Sequence, residues 1–275
     1  MTIAIGQRFK DGILLCADTL LSTGGIRKYG DKLFSYRCAN GAVIVFAVSG
    51  NVAYAKMAIE KSVLEVNKIP AADLKSEAIK IAIEKVLIQF YKDHIFPHPL
   101  YKSGQKDFQF VAAAWTPHSG ILPFYSTETA LTEFEVYLPL GIGSDLAEYI
   151  LETTAIPKTK HRKLDSAVRL MIHVLWAVKE YVEECGGKSQ FIVLDKDGKL
   201  SKVDLADIRF VEDASGLWQF VIGGFLVRAT DLTLDDQSLR QELGLVYKEI
   251  KHLRDKEKQI RKESTELAVR LGVRK

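Results

Sequence analysis

The chain has 275 residues, 47% hydrophobic and 27% charged, a globular mixture that excludes a wholly disordered chain and suffices for a sizeable core. Its 38 Lys and Arg against 35 Asp and Glu leave a formal charge of +3, too small an excess to indicate a nucleic-acid partner. Cys16, Cys38 and Cys185 are too few and too far apart for a disulfide scaffold or a zinc-ligand pattern, which points to a reducing compartment.

Residues 2–9 alternate, with Ile3 and Ile5 on one face, and predict a strand. Lys10, Asp11 and Gly12 form a turn signal, and the nearly continuous apolar run 13–17 predicts a strand buried on both faces. Thr23, Gly24 and Gly25 break the run. Residues 32–36 and 42–48 read as further strands about a turn at Asn40 and Gly41. The spacing then becomes helical: Ala53, Met57, Ala58, Ile59 and Val63 follow Asn51. A second helix, capped by Asp73, is expected to bury Ile79, Ile83, Val86, Leu87 and Phe90. Residues 108–115 and 121–125 predict a strand pair. Ser144 is expected to cap a helix through Leu151, and residues 164–184 form a long helix stopped by Gly186 and Gly187. Residues 190–194 and 200–203 make a hairpin about Asp197 and Gly198.

Strands, two helices, strands, two helices, strands is not a β-α-β-α alternation, so a doubly wound parallel sheet is not expected. The predicted class is α+β, with two antiparallel sheets stacked face to face and helix pairs outside. In the last segment Leu239, Leu243, Val246, Ile250, Leu253, Ile260, Leu267 and Leu271 step at heptad spacing, with Glu257 and Ser264 in the two gaps. So narrow a stripe suits a coiled-coil-like helix better than the broad face of a globular helix. The predicted division is a domain at 1–230 and a long C-terminal helix at 231–275, used for oligomerisation or partner contact.

No run reaches about 18 apolar residues, and the N-terminus lacks the basic stretch and long apolar run of an export signal. The expected location is the cytoplasm, with no membrane partner. Of the six histidines, His94 and His98 alone stand four apart, and Pro97 and Pro99 break any helix that would align them on a zinc ion. Neither a metal nor a cofactor is expected.

Thr2 to Gly6 read Thr-Ile-Ala-Ile-Gly, and Lys10 is followed by Asp-Gly-Ile-Leu-Leu-Cys-Ala, Asp18 and Thr19. Gly24 and Gly25, then Asp31, Lys32 and Leu33, come next. Phe46, Ala47, Val48, Ser49, Gly50 and Asn51 precede Gly141, Gly143 and Ser144, and Gly186, Gly187, Asp197 and Gly198 close the series. In this order and spacing the motifs resemble the proteasome β-subunit group of N-terminal nucleophile (Ntn) hydrolases, of the bacterial proteasome-related type. The resemblance implies a four-layer αββα sandwich and a threonine-type endopeptidase. It further implies a self-compartmentalised homo-oligomeric ring or spiral, a peptide or unfolded protein as substrate, and an ATP-dependent unfoldase as the kind of partner.

The chemistry of Thr2 fits that group. A threonine hydroxyl needs a base, and a chain-terminal amine on the same residue, with a pKa of about 7.7–8.0, can take its proton. This requires removal of Met1, which a small second residue permits, and no propeptide is expected. The resemblance implies that Asp18 and Lys32 are the supporting acid and lysine. A neighbouring ammonium lowers the amine pKa and stabilises a developing alkoxide. It also implies a backbone oxyanion donor at Ser49 beside Gly50, an accessory role for Ser144, and Asn51 at the base of the specificity pocket. The sequence departs from the pattern at Ser49, where glycine is usual, at Leu20, where arginine is common, and at Val182, where the group places an acid. Cys185 stands where a serine is common and reads as a packing residue. Two alternatives stay open: a catalytically inactive structural subunit of the same fold, favoured by Val182 and Ser49, and an Ntn amidohydrolase acting on a small amide.

Overall fold

β1 (Ile3–Phe9) and β2 (Gly12–Asp18) pair antiparallel, with Ile5 opposite Cys16. The computed structural model describes residues 3–23, 26–100, 107–154, 163–229 and 235–270, in backbone only at 22–23, 154, 217–218, 220–229, 253, 257, 260–261 and 263–270. A short hairpin of β3 (Leu20–Thr23) and β4 (Ile26–Tyr29) follows. Then come β5 (Leu33–Arg37) and β6 (Val43–Gly50). Helix α1 (Val52–Asn67) starts just after Asn51, as the sequence predicts, and Asn51 caps it by accepting the Tyr54 N–H at 3.2 Å. A 3-10 turn at Ala71–Asp73 precedes α2 (Ser76–Phe90), whose N-cap is Lys75 rather than the predicted Asp73. Helix α2 runs on into a π-helical turn at Tyr91–Ile95.

The second half supplies β7 (Phe108–Thr116), β8 (Gly120–Thr127), β9 (Ala130–Glu133) and β10 (Tyr137–Gly141). These are followed by α3 (Ser144–Thr154), α4 (Leu164–Tyr181), β11 (Ser189–Asp195) and β12 (Leu200–Lys202). One five-stranded sheet runs β10-β1-β2-β11-β12 and another β5-β6-β7-β8-β9. Their pairings are antiparallel throughout.

Alternation along the strands divides the core. Ala4, Ile13, Leu15 and Ala17 of the first sheet share one cluster with Val43, Val45, Ala47, Val111 and Ala113 of the second. The intervening Ile44, Phe46, Val48, Phe110 and Ala112 join a second cluster with Ala55, Ile59, Ile79, Ile83 and Leu87 of α1 and α2. Period-2 strands buried on both faces lose their polar alternation, which is why β2 and β6 read as nearly unbroken apolar runs. Helix α4 packs against β1, β2 and β11, and α3 against β10. On α1, Met57 is 43% exposed and Ala53 also faces outward, so the helix is turned from the expected face.

The chain divides into the compact units Met1–Asp204 and Leu205–Lys275, so the division precedes the 230/231 boundary read from sequence. The second unit holds α5 (Leu205–Ala229) and α6 (Asp236–Arg270), which touch one another. Asp235 caps α6 by accepting the Ser238 N–H at 2.7 Å. That bond holds its carboxyl below the usual aspartate range. Along the expected seam Leu239, Val246 and Ile250 are half-buried and Leu243 is exposed. The side chains of Leu253, Glu257, Ile260, Ser264 and Leu267, and all of Leu271, lie outside the described residues. No helix among the described residues is long and apolar enough to cross a membrane.

Candidate active site

The end of β2 delivers Asp18 and the segment before β5 delivers Lys32. Lys32 Nζ donates to Asp18 Oδ1 at 2.6 Å and also to the Leu20 carbonyl. Both side chains are fully buried. Removing two charges from water costs several kcal/mol per ion unless further hydrogen bonds offset it. The fold supplies them: the Ile3 N–H donates to Asp18 Oδ1 at 3.2 Å and the Gly186 N–H to Asp18 Oδ2 at 2.9 Å. Burial pulls the Lys32 ammonium below the ordinary lysine value, against the opposing pull of Asp18.

The segment carrying Lys32 is itself held. Gln190 of β11 accepts the Lys32 N–H at 3.3 Å and donates to Asp31 at 2.5 Å. Thr2, the candidate nucleophile, lies outside the described residues, as do Gly24 and Gly25. Ile3, the residue bonded covalently to Thr2, donates its N–H to Asp18. The buried ion pair therefore stands at the N-terminal end of β1.

At the end of β6 the ladder fixes which backbone donors are committed. Val48 N–H donates to Lys32 O at 3.0 Å on the β5 side, and Asn51 N–H to Asp107 O at 2.9 Å on the β7 side. Ladder bonds alternate between neighbouring strands. Ser49, opposite Gln109, thus turns its N–H to β7, and Gly50 turns its own to the β5 side. Strand β5 begins only at Leu33, opposite Ala47, so no β5 residue stands opposite Gly50. Of the two candidate donors it is Gly50, one residue beyond Ser49, that faces the Lys32 side. Gly50 has φ +84°, and a Cβ there would lie 2.6 Å from the Asp107 carbonyl oxygen, so only glycine fits this corner. Asn51 commits its Oδ1 to the cap of α1.

Ser144 is the first residue of α3 and not its cap: Ala147 N–H bonds Gly143 O at 3.0 Å, and the Ser144 hydroxyl donates to Asp145 at 3.5 Å. Gly143 lies so close to Ile3 and Cys185 that a Cβ there would meet Cys185 Sγ at 3.2 Å and Ile3 Cβ at 3.4 Å. The start of α3 therefore borders the same corner as Asp18. Cys185 is buried, and burial together with the Asp18 carboxylate pushes its thiol up to about 12. It stays protonated at neutral pH and is no nucleophile.

The fold shares its topology with known proteins. The Gly-1 mutant of Anbu from Hyphomicrobium sp. strain MC1 superposes with a TM-score of 0.68 at 14% identity, over 86% of this chain and 100% of that one. Anbu (ancestral beta-subunit) from Yersinia bercovieri gives 0.67 at 10% identity, over 81% and 96%. The helically assembled Anbu complex from Pseudomonas aeruginosa gives 0.66 at 14%, over 82% and 96%. The fold is similar to that of Anbu. No protein-family model and no curated protein sequence matches the chain.

Against the Anbu-like fold the departures can be placed. Helix α4 ends at Tyr181, so Val182 is its C-cap rather than a residue of the helix predicted through 184. Val182 is half-buried and brings no acid. Glu183 pairs with Arg27 of β4 at 3.1 Å, with its side chain 86% exposed. Leu20 contributes its carbonyl to Lys32, with its side chain buried. Three participants carry no sequence signal of their own: the Gly186 N–H, the Leu20 carbonyl and the Gln190 amide. His94 packs on the Phe90 ring at 4.7 Å and His98 accepts the Leu100 N–H at 3.1 Å. Each histidine is thus engaged separately.

Proposed function

We propose that this chain is a threonine-type endopeptidase in which Thr2, freed of Met1, attacks the carbonyl carbon of a peptide bond. The observation that carries the reading is the fully buried Lys32–Asp18 pair at 2.6 Å, whose Asp18 oxygen also receives the N–H of Ile3. In the proposed reaction the Thr2 Oγ forms a bond to the acyl carbon while its proton passes to the Thr2 amine. Lys32 lowers the proton affinity of that amine and favours the developing charge on oxygen. The carbonyl oxygen, now an oxyanion, accepts the Gly50 N–H. Collapse expels the amine half of the substrate, which takes the proton from the Thr2 ammonium. Water then cleaves the ester, again with the Thr2 amine as base. Under this reading the elements stack as an αββα sandwich.

A peptide epoxyketone or β-lactone tests it. The expected result is one inhibitor mass per chain, located on Thr2 in protein whose intact mass lacks Met1. Active protein that retains Met1 would overturn the mechanism. The inactive-subunit reading has one specific observation in its favour: no carboxylate occupies the Val182 position, and Glu183 is committed to Arg27. It predicts removal of Met1 without any modification of Thr2.

The proposed working form is a homo-oligomer, a ring or spiral into which peptide or unfolded protein is passed. The Pseudomonas aeruginosa Anbu complex assembles helically. In this chain α6 is a 35-residue helix that leaves Leu243 48% and Tyr247 66% exposed, one turn apart on the same face. Pairing with the helix of a second copy would bury that surface at about 25 cal/mol per Å² of apolar area. Truncation before Asp235 is expected to lower the mass seen by light scattering while the circular dichroism of the sandwich persists. An unchanged oligomer would defeat the role given to α6.

A further inference from the structure

The corner that carries Gly50 is backed by Asp107 and by Phe108, its partner in the ladder. Asp107 receives the Asn51 N–H on its main-chain oxygen at 2.9 Å, and that same carbonyl closes over Gly50. The Asp107 carboxylate accepts the N–H of Phe108 at 2.7 Å. It also accepts the hydroxyl proton of Tyr91 at 2.5 Å, with the Phe108 carbonyl oxygen 3.1 Å from that hydroxyl. Tyr91 is fully buried, its ring 5.6 Å from those of Phe96 and Phe108. It opens the π-helical turn at the end of α2, a local widening that recurs at functional positions. A buried phenol needs a partner for its hydroxyl, and the carboxylate it finds belongs to the residue that fixes Asn51 and abuts Gly50.

We propose that Tyr91, acting through Asp107, is a positioning residue for the Gly50 N–H, setting the direction in which that group meets the oxyanion. The proposal rests on the hydrolase reading given above. Tyr91 touches no reacting atom; it fixes the carboxylate, the carboxylate fixes the Asp107 main chain, and the main chain fixes the corner. Removal of an oxyanion donor outright costs 10²–10³ in kcat, so tilting it is expected to cost less, roughly tenfold.

The test is Tyr91→Phe in the full-length chain, which keeps the ring and removes the hydroxyl. Amide hydrogen exchange at Asn51 is expected to quicken by about tenfold while the amides of Leu14, Leu15 and Cys16 in β2 keep their protection. In turnover, kcat is expected to fall by a similar factor at little-changed KM. Affinity for a peptide aldehyde, whose hemiacetal oxygen needs the donor, should fall with it, whereas affinity for the matching peptide alcohol should hold. Asp107→Asn, which weakens the acceptor without changing its shape, should reproduce the pattern and stands in if Tyr91→Phe does not fold. Unchanged exchange at Asn51 overturns the proposal. So does a uniform rise in exchange that includes β2, or an equal loss of aldehyde and alcohol binding, since either marks a purely structural hydroxyl. If Asn51 responds but the wild-type protein neither turns over peptide nor binds aldehyde, the hydrolase reading has failed. The catalytic role of Tyr91 then fails with it, and the mechanical link to Asn51 survives.

Discussion

Thr2→Ala is expected to abolish peptide turnover, with a loss of at least about 10³-fold in kcat/KM, because it removes the one attacking oxygen in the scheme. The fold should be indifferent to the change. Core packing at this end of the first sheet is made by Ile3, Ile5 and their neighbours, and the Ile3 N–H that binds Asp18 is present in either protein. The variant should therefore keep the wild-type urea midpoint and lose only covalent capture of the epoxyketone. Thr2→Ser provides the complementary measurement, since it retains both the hydroxyl and the terminal amine and should remain active. If Thr2→Ala kept its activity, the nucleophile would have to be sought elsewhere. Cys185 would not qualify, since its thiol is buried and held protonated.

How much of this could be read from the amino-acid sequence depended on where each element's residues face. Strands β1, β2, β6, β7, β8 and β11 announce themselves because a buried strand needs apolar residues, and their order with the helix pairs between them is enough to indicate stacked antiparallel sheets. Strands β3 and β4 do not. All four residues of β4 are exposed, so burial imposes no alternation on their sequence. Strand β10 is hidden by Pro139, which is tolerated because β10 is the edge of its sheet. Helix α5 was missed for a different reason. Its apolar residues run together and Gly216, Gly223 and Gly224 interrupt it, each costing about 1 kcal/mol relative to alanine in a helix. Neither the amphipathic period nor the propensity marks it. In the site, Asp18 and Lys32 were legible as a pair through their place in a motif series. Their backbone partners were not, since a main-chain N–H or carbonyl has no residue identity. The proposal of Gly50 rather than Ser49 as the oxyanion donor needed the register of two ladders. The Tyr91–Asp107 link needed the fold to bring the end of α2 to the start of β7.

The Lys32–Asp18 pair should give the largest stability effect in the molecule and the clearest pH signature. Breaking a buried pair from one side costs about 3–5 kcal/mol, because the partner is left charged and dry. Asp18→Asn preserves the shape and leaves the Lys32 ammonium against the Leu20 carbonyl and an amide oxygen. Burial already lowers the Lys32 pKa, and the Asp18 charge is what opposes it, so in this variant the pKa must fall further. Between that lowered value and the ordinary lysine value near 10.4 the unfolded chain binds more protons than the folded one, so stability rises with pH. Urea unfolding of Asp18→Asn should therefore show a deficit that is largest at mildly acidic pH and shrinks as pH rises towards about 9, a recovery that begins at lower pH than any slope in the wild type. A deficit independent of pH would mean that Lys32 is not the group titrating. The same geometry ranks the catalytic losses. Lys32→Ala removes a full charge from a dry site, where such groups are worth several kcal/mol to a transition state. Ser144→Ala removes one partly exposed hydroxyl worth roughly 0.5–1.5 kcal/mol. Lys32→Ala should accordingly lose far more kcat/KM than Ser144→Ala. The reverse order would show that the pair holds the end of β2 in place and takes no part in the chemistry beside Thr2.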